Sequence, residues 1–137
     1  MSDRIFAILI HDQPGPLDSL KLVLRDLSVE TFSVTSLEEA RRLIPQTSPH
    51  ILFTATSVAD GSWTDVIYLA EQADIPLNVI VVSANKDIKL YITALERGAY
   101  DFVLPPFEPL ALDIVVRSAG ENVRHRRRAL ARLAVAS

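Results

Sequence analysis

No cysteine occurs in this chain. That excludes disulfides, thiolate metal sites and cysteine nucleophiles, and it fits a cytoplasmic protein. Long apolar runs are missing too: no stretch approaches the roughly 18 consecutive apolar residues of a membrane span. The first ten residues lack a basic segment ahead of an apolar one, so no signal peptide is expected. Glycine is scarce, at four residues. No Gly-rich phosphate loop stands at a strand–helix junction, since the first junction has only Gly15 between Pro14 and Pro16. Positive charge is short over most of the length. Residues 1–120 hold 9 Lys and Arg against 16 Asp and Glu, whereas 121–137 hold five Arg against one Glu. An acidic body with a basic tail argues against the body gripping nucleic acid by itself.

What is there is enough for one domain with a single core: 137 residues, 49% apolar. Residues 4–10 form a near-continuous apolar run, as in a central parallel strand. The polar break His11–Pro16 follows. Leu17, Leu20, Leu24 and Leu27 then recur at helical spacing. Thr31–Val34 reads as a second strand. Ser36 and Glu39 have capping-box spacing ahead of a helix carrying Leu37, Ala40, Leu43 and Ile44, and Pro45 and Pro49 bracket its end. Residues 50–54 read as a third strand closed by Ala55, followed by the Asp60–Gly61 turn. A third helix holds Val66, Ile67, Leu69 and Ala70. Val79–Val82 is the most β-branched run and predicts the fourth strand. A fourth helix runs from about Asp87 to Arg97, with Ile88, Ile92 and Leu95 inward, and Gly98 stops it. Tyr100–Leu104 is a fifth strand, ended by Pro105–Pro106. The last helix starts near Pro109 and continues through Gly120, which weakens it by roughly 1 kcal/mol relative to Ala, toward Leu133.

Strands alternating with helices predict an α/β fold: a three-layer α/β/α sandwich around a five-stranded parallel sheet, with an extended C-terminal helix. The usual flavodoxin-like order, 2-1-3-4-5, puts the chemical crevice at the carboxyl ends of strands 1 and 3. His11, Asp12 and Ala55 flank that crevice. Ala55 supplies no nucleophile, acid or ligand there.

Five stretches carry a family resemblance: Ile8–Gln13, Pro49–Ala55, Val58–Ser62, Ile80–Ala84 and Gly98–Phe107. In order and spacing they resemble the response-regulator receiver domain, the phospho-acceptor module of two-component signalling. The resemblance covers residues 4 to about 120. In that family two acidic residues after the first strand and an acceptor aspartate bind Mg²⁺, while a Ser/Thr and a lysine contact the phosphoryl group. Here the corresponding positions are His11 and Asp12, Ala55, Ser83 and Pro105. Mg²⁺ takes near-octahedral oxygen ligation, usually with carboxylates, and acyl phosphate formation needs a carboxylate nucleophile. The resemblance therefore implies a pseudo-receiver that is folded but unable to run aspartyl phosphorylation.

Further expectations follow from it. Asp12, Ser83 and the backbone are the remnant crevice. Ser83 satisfies local backbone, and Phe102, at the family's switch aromatic position, is fixed packing without the hydroxyl of a tyrosine. The Pro105–Pro106 bond is expected to be cis. Thr54 and Thr56 are ordinary strand-end polar residues, and His11 has no neighbouring partner for a metal. No metal, cofactor or enzymatic activity is expected. Residues 1–120 form the receiver-like domain, and 121–137 form a basic helical extension or linker toward a possible output domain. The five Arg in 124–132 offer sequence-blind attraction to nucleic acid, but specific binding is expected only through an output domain outside this chain. The expected role is the regulatory module of a transcriptional regulator, working by protein–protein contact. A homodimer through helix 4, strand 5 and helix 5 is the expected surface use, with Lys86, Lys89, Tyr91 and Arg97 on helix 4. The alternative is a sensor whose crevice binds a small anionic or nucleotide ligand. A flavin carrier is disfavoured, because Pro14 and Pro16 remove two donors from the first loop.

Overall fold

The computed structural model describes residues 4–136; residues 1–3 and 137, the outer ends of the two expected segments, lie outside the described residues. The elements are β1 (Phe6–Ile10), α1 (Pro16–Asp26), β2 (Glu30–Val34), α2 (Leu37–Thr47), β3 (Ile51–Ala55), β4 (Ser57–Val58), β5 (Gly61–Ser62), α3 (Trp63–Gln72), β6 (Asn78–Val82), α4 (Ile88–Arg97), β7 (Asp101–Val103) and α5 (Pro109–Ala136). Five strands form one parallel sheet in the order β2-β1-β3-β6-β7. This is the expected 2-1-3-4-5 arrangement once β4 and β5 are set aside. Those two pair antiparallel in the loop after β3.

The apolar runs explain the layering. Alternate residues of a strand face opposite sides of the sheet, and β1, β3 and β6 are apolar on both sides. Ile8, Leu52, Val79 and Val81 meet α2, α3 and α4 through Ala40, Ile44, Val66, Ile67 and Ala94. Leu9, Ile51, Phe53, Ile80 and Val82 meet α1 and α5 through Leu17, Leu20, Leu24, Leu112, Val116 and Ala119.

Two local expectations need correction. Ile88, Ile92 and Leu95 do not point inward; they are 63%, 49% and 37% exposed. The buried phase of α4 is Ala94 with partly buried Leu90. Helical periodicity finds an apolar stripe but not which stripe the sheet takes, and here the small Ala94 lets the helix sit close. Pro45 lies inside the last turn of α2 and Pro49 just past its C-cap Ser48, so the two bracket its end as expected. The Ser48 N–H donates to Ile44 O (2.9 Å) and the Thr47 hydroxyl to Leu43 O (2.9 Å), so the turn closes around the missing donor. The cap of α2 is also shifted. Ser36 accepts from the Glu39 N–H (3.1 Å), but the Glu39 carboxylate reaches past the cap residue to the Thr35 N–H and hydroxyl.

Other expectations hold. Gly98 ends α4 at φ 111°, and Pro105–Pro106 is cis. The last helix runs through Gly120 unbroken. A Cβ there would lie 2.8 Å from Ile5 Cδ1, so glycine is what lets α5 approach the base of β1. No helix among the described residues is long and apolar enough to cross a membrane.

Candidate functional site

In-register pairing gathers the strand ends. Ile10 lies opposite Thr54, Ala55 opposite Val82, and Val82 opposite Val103. His11, Ala55, Ser83 and the Leu104–Pro105 step therefore share the carboxyl edge of the sheet, as the topology requires.

The side chains at this edge are mostly committed elsewhere. The backbone N–H of His11 donates to Val34 O (3.1 Å), which ties the loop to β2. Together with Asp12, Asp18, Lys21 and Thr35, His11 lines an open cleft of about 340 Å³ on the β2 side. Thr54 is fully buried, and its hydroxyl donates to Ala55 O (2.8 Å). Ala55 is half-buried, with its methyl packed against both apolar layers. Thr56 is half-buried, and its carbonyl accepts from the Trp63 N–H (3.3 Å).

Ser83 is buried, and its N–H donates to Val103 O (3.0 Å). Its hydroxyl donates to Asn85 O (2.8 Å) and accepts from the Asn85 N–H (3.2 Å), so it closes on its own loop. Phe102 is buried with its ring edge-on to Tyr91, centroids 5.6 Å apart. Pro105 is half-buried and carries no charge into the edge. Among the described residues, no three His, Asp or Glu side chains group so as to hold a metal ion. The chemistry available at the edge is thus one carboxylate beside an imidazole, with no carboxylate at the centre.

Sequence reasoning missed Asp60. Its two carboxylate oxygens accept from the Leu37 N–H (2.8 Å) and the Glu38 N–H (3.3 Å), pinning the β4–β5 loop to the start of α2. The Asp–Gly pair announced a turn, but a cap supplied from 23 residues away has no local signal.

Missed as well was the opposite edge, where the strands begin. The basic run of α5 is largely spent there. Arg124 donates to Arg4 O (2.8 Å), and Arg126 to Asn78 Oδ1 (2.8 Å) and Asn122 Oδ1 (3.1 Å). Arg127 donates to Pro76 O (3.0 Å) and Pro49 O (2.6 Å). Buried Asn78 donates in turn to Ala119 O (3.1 Å) and Asn122 Oδ1 (3.0 Å). His50 Nδ1 accepts from the Phe6 N–H (3.0 Å). Burial first, then the positive charge of Arg127 and Arg124, pushes its pKa down to about 4. Burial also pulls the Arg127 pKa below its usual value, with Arg126 adding repulsion. These arginines are clamps, and only part of the run faces outward.

One surface is conspicuously apolar. On α4, Ile88, Tyr91, Ile92 and Leu95 are all exposed and recur at helical spacing. Lys86, Lys89 and Arg97, also exposed, surround them. Neighbouring α5 contributes exposed Leu110 and Ile114.

Comparison with known proteins gives a consistent answer. The family model described as the response regulator receiver domain matches residues 7–117. Response regulator protein PilR of Pseudomonas aeruginosa is 26% identical over 102 residues, 74% of this chain and 23% of that protein. DNA-binding response regulator MtrA of Mycolicibacterium smegmatis is 25% identical over 118 residues, 86% of this chain and 50% of that protein. The chain thus spans a quarter to a half of these curated relatives. A response regulator receiver domain protein from Clostridium thermocellum superposes with a TM-score of 0.72 at 20% identity, over 86% of this chain and 95% of that one.

Proposed function

The chain belongs to the response-regulator receiver family of two-component systems and is related to transcriptional regulators, and from that premise we propose that it signals by protein contact, without aspartyl phosphorylation. The observation that carries the proposal is Ala55. It ends β3 in register with Val82 and packs its methyl into both apolar layers. A methyl group cannot attack a phosphoryl donor, and no carboxylate stands in its place. Asp12 is left beside His11 where Mg²⁺ wants a second oxygen ligand. Pro105 brings no ammonium to balance phosphoryl charge. Ser83, closed on Asn85 by two hydrogen bonds, has no phosphoryl oxygen to follow.

The test is titration with Mg²⁺ and beryllofluoride, a stable acyl-phosphate mimic, followed by melting temperature and amide shifts. We expect neither to change near Ser83. Saturable Mg²⁺-dependent binding would refute the proposal.

The contact surface is the α4–β7–α5 face. Its support is the outward apolar stripe of α4, since a helix face with four exposed large apolar residues wants a cover. It serves a protein partner and is open to a second copy as well, and in a transcriptional regulator it would set the state of the output domain. Tyr91→Ala and Ile92→Asp should abolish binding of the partner protein, read by sedimentation of the mixture, while Lys86, Lys89 and Arg97 to Ala weaken it. Unchanged binding in all five variants removes this surface. The ligand-sensor alternative gains no support at the first loop. The Gly15 N–H is taken by Asp18 Oδ2 (3.0 Å), and Pro14 and Pro16 have no N–H to offer.

A further inference from the structure

On the α2–α3 side of the sheet, at the edge where the strands begin, the C-terminal ends of α2 and α3 flank a groove of about 470 Å³. Ile44, Pro45, Leu69 and Ile75 line it, with Tyr68 63% exposed beside them. Neither helix carries a basic residue in its last turn. The partial negative charge of each helix end therefore has no cation from its own last turn. Asp74 adds a carboxylate to the lining. Arg41 lines it too, but its guanidinium is bonded to Glu38 (Nε–Oε1 3.1 Å). The groove suits an apolar body that brings positive charge.

The chain itself carries such a body. Beyond its last clamp, Arg127, α5 continues to Ala136, a length of about 14 Å at 1.5 Å per residue. Leu130 and Leu133 extend the stripe that Val116 and Val123 bury, but they are 47% and 66% exposed. Arg132 gives the same segment its positive charge, and Arg128, whose guanidinium lies 3.5 Å from Glu121 Oε1, adds to it; both have long side chains that can reach the groove's rim. The tail cannot fill its own groove, because α5 packs on the other face of the sheet from α2 and α3 and runs on as one unbroken helix.

We infer that the α2–α3 groove receives the α5 tail of a second copy, each copy giving its tail and taking its partner's. The result is a two-fold dimer with apolar contact at Leu130 and Leu133 and charge complementarity between the basic tail and Asp74 with the two helix ends. This inference does not rest on the phosphorylation-independent reading. It leaves the α4–β7–α5 face open to a different protein.

The experiment is sedimentation velocity on the full chain across a concentration series, with single-site variants of exposed residues. Leu133→Glu disables the tail, and Tyr68→Glu disables the groove. Circular dichroism checks that each remains folded; Leu130→Glu and Asp74→Lys stand in for one that does not. Wild type should dimerise, and each variant should raise the dissociation constant at least about tenfold. An equimolar mixture of the tail variant and the groove variant should regain dimer, because one intact tail then meets one intact groove. A wild type that stays monomeric overturns the inference. So does a groove variant that dimerises like wild type, which would mean that the tails pair with each other. Dissociation by α4 variants alone, with tail and groove variants silent, would also overturn it while assigning self-association to the α4 face.

Discussion

The two edges of the sheet have opposite characters. At the carboxyl edge, where this fold places its chemistry, the central strand ends in a methyl group and Ser83 is closed on its own loop. At the amino edge, Arg124, Arg126, Arg127, Asn78 and His50 form a connected set of hydrogen bonds to carbonyls and amides. Polar chemistry has been stripped from one end of the strands and invested in holding a helix at the other. A receiver-shaped body thus holds its α5 extension by hydrogen bonds at the amino edge, while the carboxyl edge carries a methyl group at the end of its central strand. The same contacts account for part of the basic run: the Arg127 guanidinium is bonded to Pro49 O and Pro76 O.

The sharpest way to break this comparison is to cut the clamp. Arg127→Ala removes donors to two carbonyls at once. Hydrogen bonds from charged donors contribute about 1.5–3 kcal/mol each, though neighbouring losses are not additive. We expect a loss of about 2–3 kcal/mol in urea denaturation, with faster amide exchange along residues 119–130. Lys86→Ala, on the exposed loop ahead of α4, should stay within about 0.5 kcal/mol. Equal effects from the two would mean that the arginines of α5 are ornaments of the surface rather than part of the fold.

The next effect is at the other edge. Ala55→Asp restores a carboxylate where the family has one, but it puts that charge beside two apolar layers with no lysine at position 105. Partial burial of an unpaired polar group costs about 1–3 kcal/mol in mutational series, and the half-exposed position places this variant at the low end. We expect a lower melting temperature that Mg²⁺ does not recover. A Mg²⁺-dependent rise in melting temperature would show that Asp12 and the new carboxylate suffice for a site, and that Ala55 alone had silenced the edge.

The carboxyl edge was legible in the sequence because its parts are local to strand ends, and strand ends can be found from apolar runs and breakers. His11, Ala55, Ser83 and Pro105 each sit where a run stops. The cis Pro105–Pro106 bond was legible through the family pattern. The amino edge was not, since it depends on partners far apart in sequence: Arg127 reaches Pro49, 78 residues away, and Arg124 reaches Arg4, 120 away. A run of arginines near a chain end looks the same whether it points to solvent or to carbonyls. The orientation of α4 failed for a different reason. Ile88, Ile92 and Leu95 form a better apolar stripe than Leu90 and Ala94, and the sheet took the poorer stripe because a methyl group packs closer than a branched side chain. Where the better stripe is left outside, periodicity misplaces the core but marks the surface that needs a partner.

The smallest expected effect sharpens the account of the amino edge through pH. His50 titrates at about 4 in the folded chain and at 6.5 when unperturbed. Between those values the unfolded chain binds the extra proton and the folded chain does not, so stability rises with pH across this window. Read the other way, the contribution is complete above about 6.5, declines as pH falls toward 4, and is gone below it. Protonation would cost Nδ1 its role as acceptor for the Phe6 N–H and set a cation against Arg127 and Arg124. Glu38 and Glu39, whose carboxyls are held below their ordinary 4.5 by hydrogen bonds to Arg41 and to Thr35 respectively, add acid sensitivity only toward the low end of that window. The upper half of the window therefore belongs to His50. Melting temperatures at pH 7 and pH 5 should differ in wild type and converge in His50→Asn, whose amide oxygen, on Cγ like Nδ1, can accept the Phe6 N–H but takes no proton. An undiminished pH dependence in His50→Asn would mean that the arginines do not press on this imidazole, and the clamp would lose its electrostatic half while keeping its hydrogen bonds.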